Sequence, residues 1–113
     1  MNDYLSSLFS LDGRTAVVTG GSSGIGRGIA TALARAGAST VIVARGEDRV
    51  RETVDELRAL GCRAHGVIGD LSTRDGIHAV GEAAAAPFGA PDILVNSAGI
   101  NIRPPFAEIT EDD

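Results

Sequence analysis

The chain contains no lysine. All 10 of its basic residues are arginine, and they face 15 acidic ones. Tryptophan is absent, and there is one tyrosine, Tyr4, and one cysteine, Cys62. Each shortage excludes something. With no lysine, and with its tyrosine ahead of the first apolar run, the chain carries no catalytic Lys and no Tyr in the body of the fold. A lone cysteine cannot pair within the chain, so there is no disulfide framework, and a reducing interior is expected. The net charge of −5 comes without a basic cluster, which argues against a nucleic-acid partner. No apolar run approaches the roughly 20 residues that span a bilayer. Asp3 and the lack of an apolar stretch make Met1 to Leu11 a poor secretory leader. The expectation is a cytoplasmic protein without nucleic-acid or membrane partners.

What is present is an ordinary globular composition, with 43% hydrophobic and 22% charged residues in a chain of 113. That length allows one domain, residues 1–113. Thr15 to Thr19 is a β-branched apolar run between glycines, and predicts a buried strand. Ile25 to Ala36 predicts a helix, with Ile25, Ile29, Leu33 and Ala36 on the core face and Gly37 as its stop. Thr40 to Ala44 reads as a second buried strand. Glu47 to Leu60 reads as a second helix, with Val50, Val54 and Leu57 inward. Its charged face suggests an attractive Arg51 and Asp55 pair and a repulsive Asp48 and Glu52 pair. A third strand is expected over Arg63 to Ile68, interrupted by His65 and Gly66. Ser72 is the expected cap of a third helix over Thr73 to Ala86, and Asp92 to Asn96 is a fourth buried strand. Alternation of this kind predicts an α/β fold, a Rossmann-type doubly wound parallel sheet of order 3-2-1-4. Its ligand crevice should lie at the carboxyl ends of strands one and four.

The first strand runs into Gly20-Gly-Ser22-Ser23-Gly24-Ile25-Gly26, and a helix follows at once. A glycine-rich turn in that setting can offer backbone N–H groups and a helix N-terminus to a phosphate. Gly20 supplies the tight turn, Gly24 the close approach of backbone to pyrophosphate, and Gly26 the tight helix-to-strand packing. Ser22 and Ser23 could add hydroxyl donors. A plain glycine-rich loop is the competing reading, because the general G-x-G-x-x-G spacing does not fit.

The Thr-Gly-x-x-x-Gly-Ile-Gly spacing resembles that of the short-chain dehydrogenase/reductase family. Three further segments match it in order: Leu11-Asp-Gly-Arg-Thr-Ala-Val-Val-Thr-Gly20, Asp70-Leu71 and Asn96-Ser97-Ala98-Gly99. The resemblance covers nearly the whole chain from about Leu8. It implies that Asp70 and Leu71 border the adenine ring. It implies that Asn96, Ala98 and Gly99 support the sheet centre and lie along the cofactor. Ser97 departs from the commoner second Asn, which leaves the implied role of Asn96 intact and weakens the case for hydrogen bonds from position 97. Strand two ends Ala44-Arg45, with no acid for a ribose 2′-hydroxyl and an arginine for a 2′-phosphate. NADP(H) is therefore favoured over NAD(H), with Arg45 as a plain loop residue the competing reading and Glu47 and Asp48 near enough to dispute the site. His65, His78 and Cys62 lack metal-ligand spacing, and no metal is expected.

The string Ala98 to Phe106 looks most like sugar-acid dehydrogenases of the family, with 3-oxoacyl carrier-protein reductases nearly as close. The resemblance thus implies an alcohol or ketone substrate, with Asn101, Ile102 and Arg103 on its side, and a homo-oligomer when intact. The family's Ser and Tyr-x-x-x-Lys have no counterpart here, so no catalytic residue can be assigned. Thr110 to Asp113 reads as a capping box for a further helix. The expectation is the first part of a longer oxidoreductase, itself inactive. A non-catalytic dinucleotide-binding module is the alternative, and a methyltransferase is disfavoured by the missing acid at Ala44.

Overall fold

The computed structural model describes residues 10–97. Tyr4, Ala98, Gly99, Asn101 to Arg103 and the Thr110 capping box lie outside the described residues. Seven elements follow one another: β1 (Thr15–Thr19), α1 (Gly24–Arg35), β2 (Ser39–Ala44), α2 (Glu47–Ala59), β3 (Ala64–Ile68), α3 (Arg74–Ala85) and β4 (Ile93–Asn96). The four strands form one parallel sheet of order β3-β2-β1-β4, as expected. Val17 sits opposite both Val41 of β2 and Leu94 of β4.

All five residues of β1 are buried, because it is central in the sheet and covered on both faces. One face carries Val18, Ile42 and Ala64 against Ala30, Ala34, Val50, Val54 and Leu57 of α1 and α2. The other carries Val17, Val41, Val43 and Val67 against Val80 and Ala84 of α3. The winding therefore reverses between β1 and β4, as right-handed crossovers require.

Four local expectations are corrected. β4, expected as a buried strand, has no fully buried residue and Leu94 stands 69% exposed, because β4 is the edge of the described sheet. The inward face of α1 is Gly26, Ala30 and Ala34, while Ile25 is 67% exposed and Ile29, Leu33 and Ala36 are only half-buried. The helix lies so close to the sheet that only small side chains fit between, and the larger ones are displaced to its flanks. The cap of α3 is Thr73, whose hydroxyl accepts from the Gly76 N–H at 3.0 Å, and not Ser72. On α2, Arg51 pairs with Glu47 at 2.8 Å rather than with Asp55. Glu52 is 3.4 Å from Arg27 of α1, which also pairs with Glu56, so this stretch of the charged face ties two helices together. β3 runs through His65 and Gly66 without a break, and Gly66 has a packing reason: a Cβ there would run into the side chain of Val50.

Candidate functional site

The carboxyl ends of the strands open on a cavity of about 980 Å³. Thr19, Gly20, Ser22 and Ser23 border it from β1 and its turn, Ala44 and Arg45 from β2, Gly69 to Ser72 from β3, and Asn96 from β4. It continues as an apolar trough beside α3, past Ile77, Val80 and Leu94. Among the described residues, Arg45 and Asp70 are the only charged ones that line it. A second cavity of about 600 Å³ lies at the opposite end of the strands, around Asp12, Arg35, Cys62 and Arg63.

Of the residues singled out in the sequence, Gly20, Ser22, Ser23, Arg45, Asp70, Leu71 and Asn96 come together on the larger cavity. Gly24, Ile25 and Gly26 form the first turn of α1 next to Ser23 and are not on its lining. Gly24 has φ +56°, and a Cβ there would meet nothing within 4 Å, so backbone faces open space. Gly26 is the reverse case: a Cβ there would collide with the Gly20 carbonyl oxygen and the Ser97 hydroxyl. Gly26 thus lets helix meet strand, as its spacing suggested, while Gly24 leaves backbone exposed beside the turn.

The start of α1 is electrically unfinished. Its N-cap, Ser23, makes no side-chain cap bond, and its first turn holds no acid. By contrast, α2 begins with Glu47 and Asp48, and α3 is capped by Thr73 and carries Asp75. The leading N–H groups of a helix have no intrahelical acceptor, and the dipole adds positive potential there. Beside a roomy cavity this end suits a phosphate, and the residues present fit a dinucleotide.

At the ends of β2 and β3, Ser72 N–H donates to Asp70 Oδ1 at 2.9 Å. Hydrogen bonds from Ser72, and more weakly the charge of Arg45, hold the Asp70 carboxyl below its ordinary range. Glu47, expected to compete for this region, is turned along α2 to Arg51.

Two residues were not legible in the sequence. Thr19 Oγ1 donates to Asn96 Oδ1 at 2.9 Å. Ser97 N–H donates to the Thr19 carbonyl at 3.1 Å, and its hydroxyl donates to the same oxygen. Position 97 therefore carries hydrogen bonds to the backbone of β1. The joint closes the end of β1 on β4 under the glycine turn, and only the neighbourhood of Thr19 and Asn96 at the two strand ends hinted at it. Among the described residues no group of three His, Cys, Asp or Glu could hold a metal ion, and no helix is long and apolar enough to cross a membrane.

The model of one family, the short chain dehydrogenases, matches residues 14–113. A relative from Escherichia coli, 2-dehydro-3-deoxy-D-gluconate 5-dehydrogenase, is 44% identical over 107 residues, which cover 95% of this chain and 42% of that protein. Among solved structures, 2-keto-3-deoxy-D-gluconate dehydrogenase from Streptococcus agalactiae superposes with a TM-score of 0.78 at 40% identity, covering 98% of this chain and 42% of the other. L-sorbose reductase from Gluconobacter frateurii, solved with NADPH and L-sorbose, also gives 0.78 at 40% identity, covering 92% and 40%. The chain thus spans about two-fifths of the length of these three proteins.

Proposed function

This chain belongs to the short-chain dehydrogenase family, and from that premise we propose that its crevice binds a nicotinamide dinucleotide, NADP(H) in preference to NAD(H). The reaction served is the interconversion of a secondary alcohol and a ketone. The observation that carries the reading is the uncapped, acid-free start of α1 beside a cavity whose only cation among the described residues is Arg45.

The first-turn N–H groups of Gly24, Ile25 and Gly26 meet the pyrophosphate, where the helix dipole offsets its charge. Ser22 and Ser23 add hydroxyls at the turn. The planar fork of Arg45 suits a 2′-phosphate, and Ala44 leaves no carboxylate to oppose it from strand two. Asp70 and Leu71 border the adenine, and Asn96, with Ala98 and Gly99, runs along the cofactor. The nicotinamide, when bound, supplies the hydride chemistry. No side chain among the described residues is assigned the alcohol proton. With no lysine in the chain and its tyrosine ahead of β1, we assign that proton to a Ser, Tyr and Lys in a longer protein.

For that protein we propose a sugar acid as substrate class, with a 3-oxoacyl thioester as the second choice, and a cytoplasmic homo-oligomer as its form. The gluconate-type names of two relatives support the first choice. The test is a fluorescence titration with NADPH and NADH. Arg45→Ala should weaken NADPH by about 10- to 100-fold, as loss of a charge-assisted bond implies. NADH should weaken much less. Equal loss for the two cofactors would refute the assignment of Arg45.

A further inference from the structure

Among the described residues the cavity lining carries two charges, at the ends of neighbouring strands. Ala44 is in register with Ile68, and the ladder continues one step further, with Gly69 N–H donating to the Ala44 carbonyl at 3.1 Å. Arg45 is the first residue past β2, and Asp70 is the second past β3. Among the described residues Arg45 makes no ion pair within 4 Å, so its guanidinium is not neutralised by contact. Asp70 is not free in the same sense. The bond from Ser72 N–H to Oδ1 closes a tight turn on its carboxylate and fixes the charge on the cavity wall. The other acids nearby do not share the position: Glu47 is held by Arg51, and neither Glu47 nor Asp48 lines the cavity.

We propose that Asp70 is a cofactor-selectivity residue, a fixed negative charge beside Arg45 that opposes an incoming 2′-phosphate and holds the preference for NADP(H) below what Arg45 alone would give. The inference rests on the dinucleotide reading above. A 2′-hydroxyl is neutral and feels little of this charge. A 2′-phosphate is close to a dianion at neutral pH and must settle against Arg45 with Asp70 alongside. Arg45 attracts it, Asp70 repels it, and the balance leaves the site able to accept both cofactors.

Asp70→Asn in the full chain tests this, because asparagine keeps an oxygen for the Ser72 N–H and removes only the charge. Asp70→Ser is a second neutral variant, in case the amide disturbs the turn. In titrations with NADPH and NADH both should tighten NADPH by about three- to tenfold. NADH should move by less than about twofold, and the gain should shrink as salt is raised. A loss or gain shared equally by the two cofactors would make Asp70 a turn residue only and overturn the inference. So would weaker NADPH binding. Arg45→Ala in the same titration separates the two ideas. If it leaves the NADPH preference intact, or if the wild type binds neither dinucleotide, the reading of the site falls and the inference falls with it. If Arg45→Ala abolishes the preference while Asp70→Asn shifts both cofactors together, the inference alone fails.

Discussion

At the scale of single residues, Gly26 has the least freedom. Its missing side chain is where the helix, the glycine turn and the β4 end meet, and the obstacles are a carbonyl oxygen and a hydroxyl already bonded elsewhere. Neither can rotate away cheaply. Gly26→Ala should destabilise the fold by about 1–3 kcal/mol through overpacking and weaken NADPH and NADH together. Chemical denaturation and the same titrations measure both. Gly24→Ala is the control, since it meets no atom and costs only about 1 kcal/mol of backbone strain at positive φ. The two glycines were legible because spacing alone distinguishes their jobs. Ser97 was not. Its partner lies 78 residues away, and a serine side chain gives no local sign of which carbonyl it will find.

At the scale of elements, patterning located every strand and helix of the described chain to within one or two residues. It did so because β1 and β2 are continuous apolar runs, and because the inward valines and leucine of α2 recur at helical spacing. Facing was read well for α2 and badly for α1. Hydropathy ranks Ile25 above Ala30, yet depth of burial follows how closely backbones approach, and a near helix selects for size first. The capping of α3 was a choice between two adjacent hydroxyl residues, and only geometry decides it. Thr73→Ala should lower stability by about 1 kcal/mol, seen as a lower denaturation midpoint. Ser72→Ala should change the midpoint by far less, since no helix N–H depends on its hydroxyl. The reverse order would restore Ser72 as the cap.

At the scale of the whole molecule, the sheet is unequally covered. Two helices protect one face, and α3 lies against the β3 and β2 side of the other. Leu94 of β4 consequently stands 69% exposed at the end of the apolar trough, among the described residues. Exposed leucine beside an unpaired strand edge invites association. Leu94→Ser in the 113-residue chain should therefore shift light-scattering mass toward the monomer. An unchanged mass distribution would show that this face does not drive association. Fold class and strand order were legible at this scale because right-handed crossovers leave few arrangements. Coverage was not, because it depends on which helix shields which strand.

The joint between β1 and β4 has a meaning in time as well as in space. At one end of these strands the Asp92 carboxylate accepts from Thr15 N–H at 2.9 Å, across 77 residues of sequence. At the other end Ser97 closes on Thr19 over a similar span. Between them lie β2, β3 and all three helices. Pairing β1 with its neighbour β2 closes a short loop, but seating β4 beside β1 closes the longest one in the described sheet. The β4 edge of the described sheet is thus completed late, after β1, β2 and β3 have paired. Asn96 and the Thr19 joint belong to that last step, so the crevice has no existence in a partly folded chain. A ribosome that has released only β1 to β3 has made a glycine turn with nothing yet to close it.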